Sequence, residues 1–192
     1  RILVVHAHPL PQSYSAALRD RAVEAVRANG HAVDLLDLYA EDFDPVLRAE
    51  ARSAYHDLAT NRRYAAPYVD RVLAARALVL IFPVWNFGYP AILKGFLDRV
   101  NLPVVFFRLE EGRVRPALHN IQALAAVTTY GATPLRAFLA GDPPRKSVTR
   151  HLRHLVHPKA KVRYLAHYGM NRATPESRAA FLDRVRSEFS RW

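Results

Sequence analysis

The sequence predicts an α/β fold: a doubly wound parallel sheet of five strands in the order 2-1-3-4-5, with helices on both faces. Three observations point there. Short continuous apolar runs recur along the chain, the pattern of strands buried on both faces. They alternate with segments of helical period, as parallel strands joined by crossovers require. Right-handed crossovers leave few topologies, and 192 residues without a repeat, linker or low-complexity tract fit a single domain covering residues 1–192.

The elements follow in order. "ILVVH" (Ile2–His6) is the first strand. Ser15 then precedes a helix in which Ala16, Leu18, Ala22, Val23 and Val26 recur at helical spacing, and Gly30 stops it. His31–Leu38 reads as the second strand, "YAEDFDPVL" as an acidic loop, and residues 49–60 and 67–75 as helices. Ala77–Phe82, the most apolar run, is the third strand. Pro90 falls where a first helical turn tolerates proline, ahead of the stripe Ile92, Leu93, Phe96, Leu97 and Val100. "VVFFRLEEGRVRPAL" alternates around Glu111-Gly112 and predicts a hairpin excursion. "IQALAAVTTYG" is the fourth strand, "KSVTRHLRHLVH" a helix and "KVRYLAHY" the fifth strand. Thr174 and Pro175 open the closing helix as its cap and first residue.

Composition excludes several classes. There is no cysteine, so disulfide, thiol and cysteine-ligated metal chemistry are ruled out. No apolar run approaches the ~18 residues of a membrane span. With no cleavable leader ahead of the first strand, a cytoplasmic location is expected. The formal net charge of +11 invites a nucleic-acid reading. Without a recognisable binding motif, the basic excess reads instead as a solvated arginine-rich face or an attraction for an anionic coenzyme, and no nucleic-acid partner is expected. His151, His154 and His157 share a helix side but lack a neighbouring carboxylate, and His6 with His8 lacks a further ligand. No metal site is expected.

In an open parallel sheet a ligand sits beyond the carboxyl ends of the strands, at the switch point between strands one and three. The loops meeting there read "HAHPLPQSYS", "PVWNFGYP" and "TTYGAT". The first brings Ser13, Tyr14 and Ser15 to a helix start, where free N–H groups and the dipole suit a phosphate, with His8 as a further donor. It is neither a GxGxxG turn nor a P-loop. The second answers the needs of a flat ring with polar edges: Val84, Trp85 and Phe87 supply an apolar surface, and the amides near Asn86 and Phe87 supply donors. The third offers hydroxyls and amides from Thr128, Thr129, Tyr130 and Gly131, with Gly131 permitting close backbone approach.

"FPVWNFGYPAILKGFLDRV" resembles the signature of the flavodoxin-like NAD(P)H:quinone oxidoreductases, and the shorter "PVWNF" is similar to the turn of the FMN-dependent azoreductases. The resemblance spans residues 2 to 131, with the remainder matching in strand-helix order. It implies a flavodoxin-like fold and a flavin, FMN or alternatively FAD. The phosphate would lie at His8, Ser13, Tyr14 and Ser15, the isoalloxazine at Pro83, Val84, Trp85, Asn86 and Phe87, and the ring edge at Thr128, Thr129, Tyr130 and Gly131. It implies hydride transfer from NADPH or NADH through the flavin to a quinone or similar acceptor, with ping-pong kinetics, in a homodimer. A flavin-binding regulatory subunit of a membrane transport protein is the alternative. The tyrosine and histidine that follow the hydroxyl strand end in the animal quinone reductases have no match here. Arg136 stands near the tyrosine's place, and no catalytic side chain is assigned.

Overall fold

A computed structural model describes residues 1–192. Five strands form one parallel sheet: β1 (Ile2–His6), β2 (Val33–Asp37), β3 (Ala77–Val84), β6 (Ala123–Tyr130) and β7 (Lys161–His167), in the order β2-β1-β3-β6-β7. With the separate hairpin of β4 (Phe107–Glu110) and β5 (Arg113–Pro116) set aside, this is the expected 2-1-3-4-5 order. The hairpin turns at Glu111-Gly112, both at positive φ (51° and 73°), as a two-residue turn between twisted strands demands.

Side chains alternate across the sheet and divide the core in two. Val4, Val79, Ile81, Ala125, Val127 and Leu165 face α1 (Tyr14–Ala28) and α8 (Pro175–Phe189). Val5, Leu80, Phe82, Leu124 and Ala126 face α3 (Ala66–Ala74), α4 (Ala91–Val100) and the helical segment before β7. Both faces are therefore covered, which is why the strands read as unbroken apolar runs. Each Leu, Ile or Phe fully buried there contributes ~1.5–3 kcal/mol.

Several elements differ from expectation. The helix expected over 49–60 shrinks to α2 (Ala49–Ser53), which buries no side chain. Asp57 accepts the Ala59 amide and the Thr60 hydroxyl, a local turn that competes with helix, and a 3₁₀ turn at Asn61–Tyr64 follows. The first helix is capped by Ser13, whose hydroxyl accepts the Ala16 amide at 3.1 Å, so Ser15 lies inside α1 rather than ahead of it. After α5 (Pro134–Leu139), a continuous helical segment runs through α6 (Pro143–Lys146), a π-turn (Ser147–Leu152) and α7 (Arg153–Leu155). Thr149 donates its hydroxyl to the Arg145 carbonyl within that wide turn.

Two details set the site. β3 runs two residues past Phe82, and Pro83 stands in a central strand, where a missing N–H normally breaks the ladder. It is tolerated because β1 has already ended, with His6 paired to Ile81. Gly95 packs so tightly on the chain at Pro45 that a Cβ would meet the Pro45 carbonyl oxygen at 2.2 Å, which accounts for the glycine of "AILKG".

Candidate functional site

The loop after β1 delivers α1 with two amides, those of Tyr14 and Ser15, that have no intrahelical acceptor. His8 accepts the Leu10 amide on Nδ1 at 3.0 Å, leaving Nε2 to carry the proton of a neutral ring. Burial lowers its pKa, although the Leu10 amide bond and Asp37 oppose the shift, so His8 acts as a neutral donor. The Tyr14 hydroxyl is committed: it donates to the Arg178 carbonyl at 2.8 Å and ties α1 to α8. Burial pushes that phenol up to about 12. Tyr14 therefore offers the cleft its amide and ring, not its hydroxyl.

The loop after β3 is a two-residue hairpin turn. Trp85 and Gly88 exchange backbone bonds of 3.2 and 2.8 Å, and Asn86 and Phe87 both lie at positive φ, 49° and 55°. Asparagine tolerates this region, whereas a phenylalanine there costs ~1–2 kcal/mol. The strain aims both central amides outward, and neither finds an acceptor within the chain. Trp85 (42 %) and Phe87 (37 %) stay exposed, so much of the turn's aromatic surface is left uncovered.

The loop after β6 meets this turn. Val84, Asn86 and Phe87 face Tyr130, Gly131 and Ala132 across a cleft of about 240 Å³. Trp85 leans on His8, with ring centroids 5.8 Å apart, which brings in the first loop. All three loops thus converge at the carboxyl edge of β1, β3 and β6. Thr129 is level with Pro83 on one side and His167 on the other. Thr128 points to the opposite face, fully buried, and its Oγ1 has no partner.

The Tyr130 side chain is also bound into the protein itself. Its hydroxyl donates to Asp142 Oδ1 at 2.6 Å and lies 2.6 Å from the Tyr164 hydroxyl, while its ring stacks on Tyr168 at 4.6 Å. Arg145 completes the cluster, bonding Asp142 at 2.9 Å and the Tyr168 hydroxyl at 2.8 Å and lying over the Tyr164 ring. Burial, then the neighbouring phenol and carboxylate, hold Tyr130 protonated far above the ordinary phenol range. Gly131 is not required by local crowding, since a Cβ would meet only the Asn171 side chain at 3.5 Å. Arg136 is exposed on α5 and does not line the cleft.

Two residues at this edge, His167 and Asp37, were not singled out from sequence, and His6 was weighed only as a metal ligand. His167, the last residue of β7, lies edge-on to Tyr14 (5.8 Å) with its Nδ1 buried and unpartnered. His6 and Asp37, the last residues of neighbouring strands, pair directly, Nδ1 to Oδ2 at 2.9 Å. The readable signal was the carboxylate ending "VDLLD", which the strand order places beside His6.

A family model described as "Flavodoxin-like fold" matches residues 1–190. The chain belongs to that family. Among its relatives, an uncharacterized NAD(P)H oxidoreductase of Haemophilus influenzae is 32% identical over 127 residues, 66% of this chain and 62% of the relative. A ribosyldihydronicotinamide dehydrogenase [quinone] of Pongo abelii is 29% identical over 151 residues, 70% of this chain and 65% of the relative. Each match thus spans less than two thirds of the relative's length. An FMN-dependent NADH-azoreductase from Bacillus anthracis, solved with FMN, superposes with a TM-score of 0.81 at 18% identity, covering 99% of this chain and 97% of that one. At that identity the likeness speaks for the flavodoxin-like fold alone.

Proposed function

We propose that the protein is a flavin-dependent NAD(P)H oxidoreductase that reduces a quinone or similar acceptor, with FMN at the carboxyl edge of the sheet. The observation that carries this reading is the convergence of three loops on one cleft. One brings free helix-terminal amides, and another a strained turn with exposed aromatics and two free amides. The donor set fits an aromatic ring bearing a phosphate. His167 Nδ1, buried and without a partner, adds unspent bonding capacity at the same strand ends.

When bound, the flavin supplies the redox chemistry, taking hydride from NAD(P)H and passing it to the acceptor. The chain's own groups do the positioning. The Tyr14 and Ser15 amides and His8 Nε2 hold the phosphate, Trp85 and Phe87 cover a ring face, and the Asn86 and Phe87 amides meet its polar rim. FMN is preferred to FAD because the turn follows the azoreductase pattern. Since one cleft serves donor and acceptor in turn, ping-pong kinetics follow.

The assembly is proposed to be a homodimer. On α5, Leu135, Phe138 and Leu139 are 67%, 75% and 73% exposed, one to four residues apart on a short helix beside the cleft. A second copy covering this apolar face would also wall the cleft. The test is the absorption spectrum of purified protein, mass analysis of what denaturation releases, and NAD(P)H oxidation with menadione. Flavin bands, released FMN and turnover are expected. A colourless protein that refuses added FMN and FAD overturns the reading, and bound flavin without turnover favours a regulatory subunit.

A further inference from the structure

A buried chain of side chains lies beneath the proposed phosphate seat and is not used by the function above. His6 is fully buried at the end of β1. Its Nδ1 sits 2.9 Å from Asp37 Oδ2, and its Nε2 sits 3.4 Å from the buried Ser15 hydroxyl. Ser15 is the second residue of α1, in the turn that presents the free amides. Asp37 is held as an acceptor from three sides, with Oδ1 taking the Tyr39 and Ala40 amides and Oδ2 also taking Arg19 at 2.9 Å.

We propose that His6 is a positioning residue whose protonation turns the Ser15 hydroxyl toward a phosphate seated at the amino terminus of α1. The inference rests on the phosphate seat of the proposed function and deepens it.

The argument is one of donors and acceptors. The carboxylate of Asp37 fixes a proton on Nδ1 in either state of the ring. In neutral His6, Nε2 is an acceptor. Ser15 then spends its only proton on Nε2 and shows the seat oxygen lone pairs, which repel a dianionic phosphate. When His6 takes a second proton from solvent, Nε2–H donates to Ser15 Oγ. The Ser15 proton is released to bond a phosphate oxygen, and a charge-assisted donor joins the two free amides.

The charged and titratable groups facing His6 are Asp37 from β2, Arg19 from α1 and His8 from the loop; β3 presents only Ile81 in register. Burial lowers the pKa of His6, Asp37 opposes that by its hydrogen bond and its charge, and Arg19 and His8 add to the lowering. A bound dianion supplies a second negative neighbour and favours the protonated ring. Phosphate binding and proton uptake are therefore linked, each strengthening the other by the same factor. Protonation raises affinity, so affinity falls as pH rises through the pKa of His6 in the complex.

The experiment measures dissociation constants from about pH 5.5 to about pH 8, the range in which histidine titrates. FMN, riboflavin and inorganic phosphate are the probes, and wild type, His6→Gln and Ser15→Ala the proteins. Calorimetry in buffers of different ionisation enthalpy counts the protons taken up. FMN's own phosphate titrates near ~6, and the variants carry that background. Wild-type affinity for FMN is expected to fall roughly tenfold more across the range than that of either variant, the worth of one charge-assisted hydrogen bond. Riboflavin, which lacks the phosphate, should show no such difference. Ser15→Ala keeps the buried His6–Asp37 pair and so separates the effect from any folding defect of His6→Gln.

Equal pH profiles in wild type and Ser15→Ala, with FMN bound, overturn the role of His6 and leave the flavin reading standing. Inorganic phosphate binding with the His6-dependent slope but no FMN binding does the reverse. No binding of either probe overturns both.

Discussion

The turn after β3 and the loop after β6 face each other across one cleft and solve opposite problems. In the turn, Phe87 sits at a φ of 55°, two amides go unused and two aromatic side chains are exposed. In the loop, Tyr130 is buried, and its hydroxyl meets both Asp142 and Tyr164 at 2.6 Å. One region carries strain and leaves its aromatic surface open, while the other ties its buried side chains to one another. Free amides and bare rings are what a ligand can use, and a satisfied buried network is what keeps a wall in place. Adjacent residues in a cleft therefore need not share a role.

Four experiments test that contrast. Tyr130→Phe removes the shared hydroxyl and leaves Asp142 and Tyr164 short of a partner. Stability is expected to fall by ~1–3 kcal/mol in denaturant titration, with a much smaller change in FMN affinity. A loss of affinity without a loss of stability would move Tyr130 from wall to ligand contact. Phe87→Gly relieves the left-handed strain and should stabilise the flavin-free protein by ~1 kcal/mol while weakening FMN. Destabilisation would show that Phe87 belongs to the fold. Trp85→Ala should leave the unfolding midpoint in place and weaken FMN by ~0.5–1.5 kcal/mol, the worth of an aromatic pair, read by fluorescence titration.

The fourth and smallest effect is on alkaline stability. Burial pushes Tyr14 and Tyr89 from 10.0 up to about 12. Because their folded pKa lies above the unfolded value, the stability they contribute is complete below pH ~10 and is lost as pH rises through about 12. Denaturant titrations on either side of that window should show the decline, with phenolate absorbance appearing as the protein unfolds. A flat profile would mean that the Tyr14 and Tyr89 phenols are more open to water than their packing suggests.

The strand order, the two-sided core and the meeting of three loops were legible because each rests on local pattern: apolar runs, helical spacing, and punctuation at Gly30, Pro90 and Glu111-Gly112. What escaped depends on partners distant in sequence. Tyr130 lines the cleft but Asp142 and Tyr164 claim its hydroxyl, as Arg178 claims that of Tyr14. The cap shifted from Ser15 to Ser13 because two serines two residues apart offer the same signal and only the backbone path chooses between them. His167 was invisible for a similar reason, since its neighbours Tyr14 and Phe181 come from elements far away in the chain. The 49–60 segment was misread because α2 buries no side chain and the turn at Asp57 competes with helix beyond it.

Gly95 against Pro45 carries one more consequence. A contact between main chains leaves no side chain to swing aside, so the spacing of α4 from the chain at Pro45 cannot relax. Any side chain at position 95 would have to push α4 off the chain at Pro45, because its Cβ would lie 2.2 Å from the carbonyl oxygen. Because α4 follows directly on the aromatic turn, that displacement would reach Trp85 and Phe87 through the chain, and a single methyl group added outside the cleft would be felt inside it.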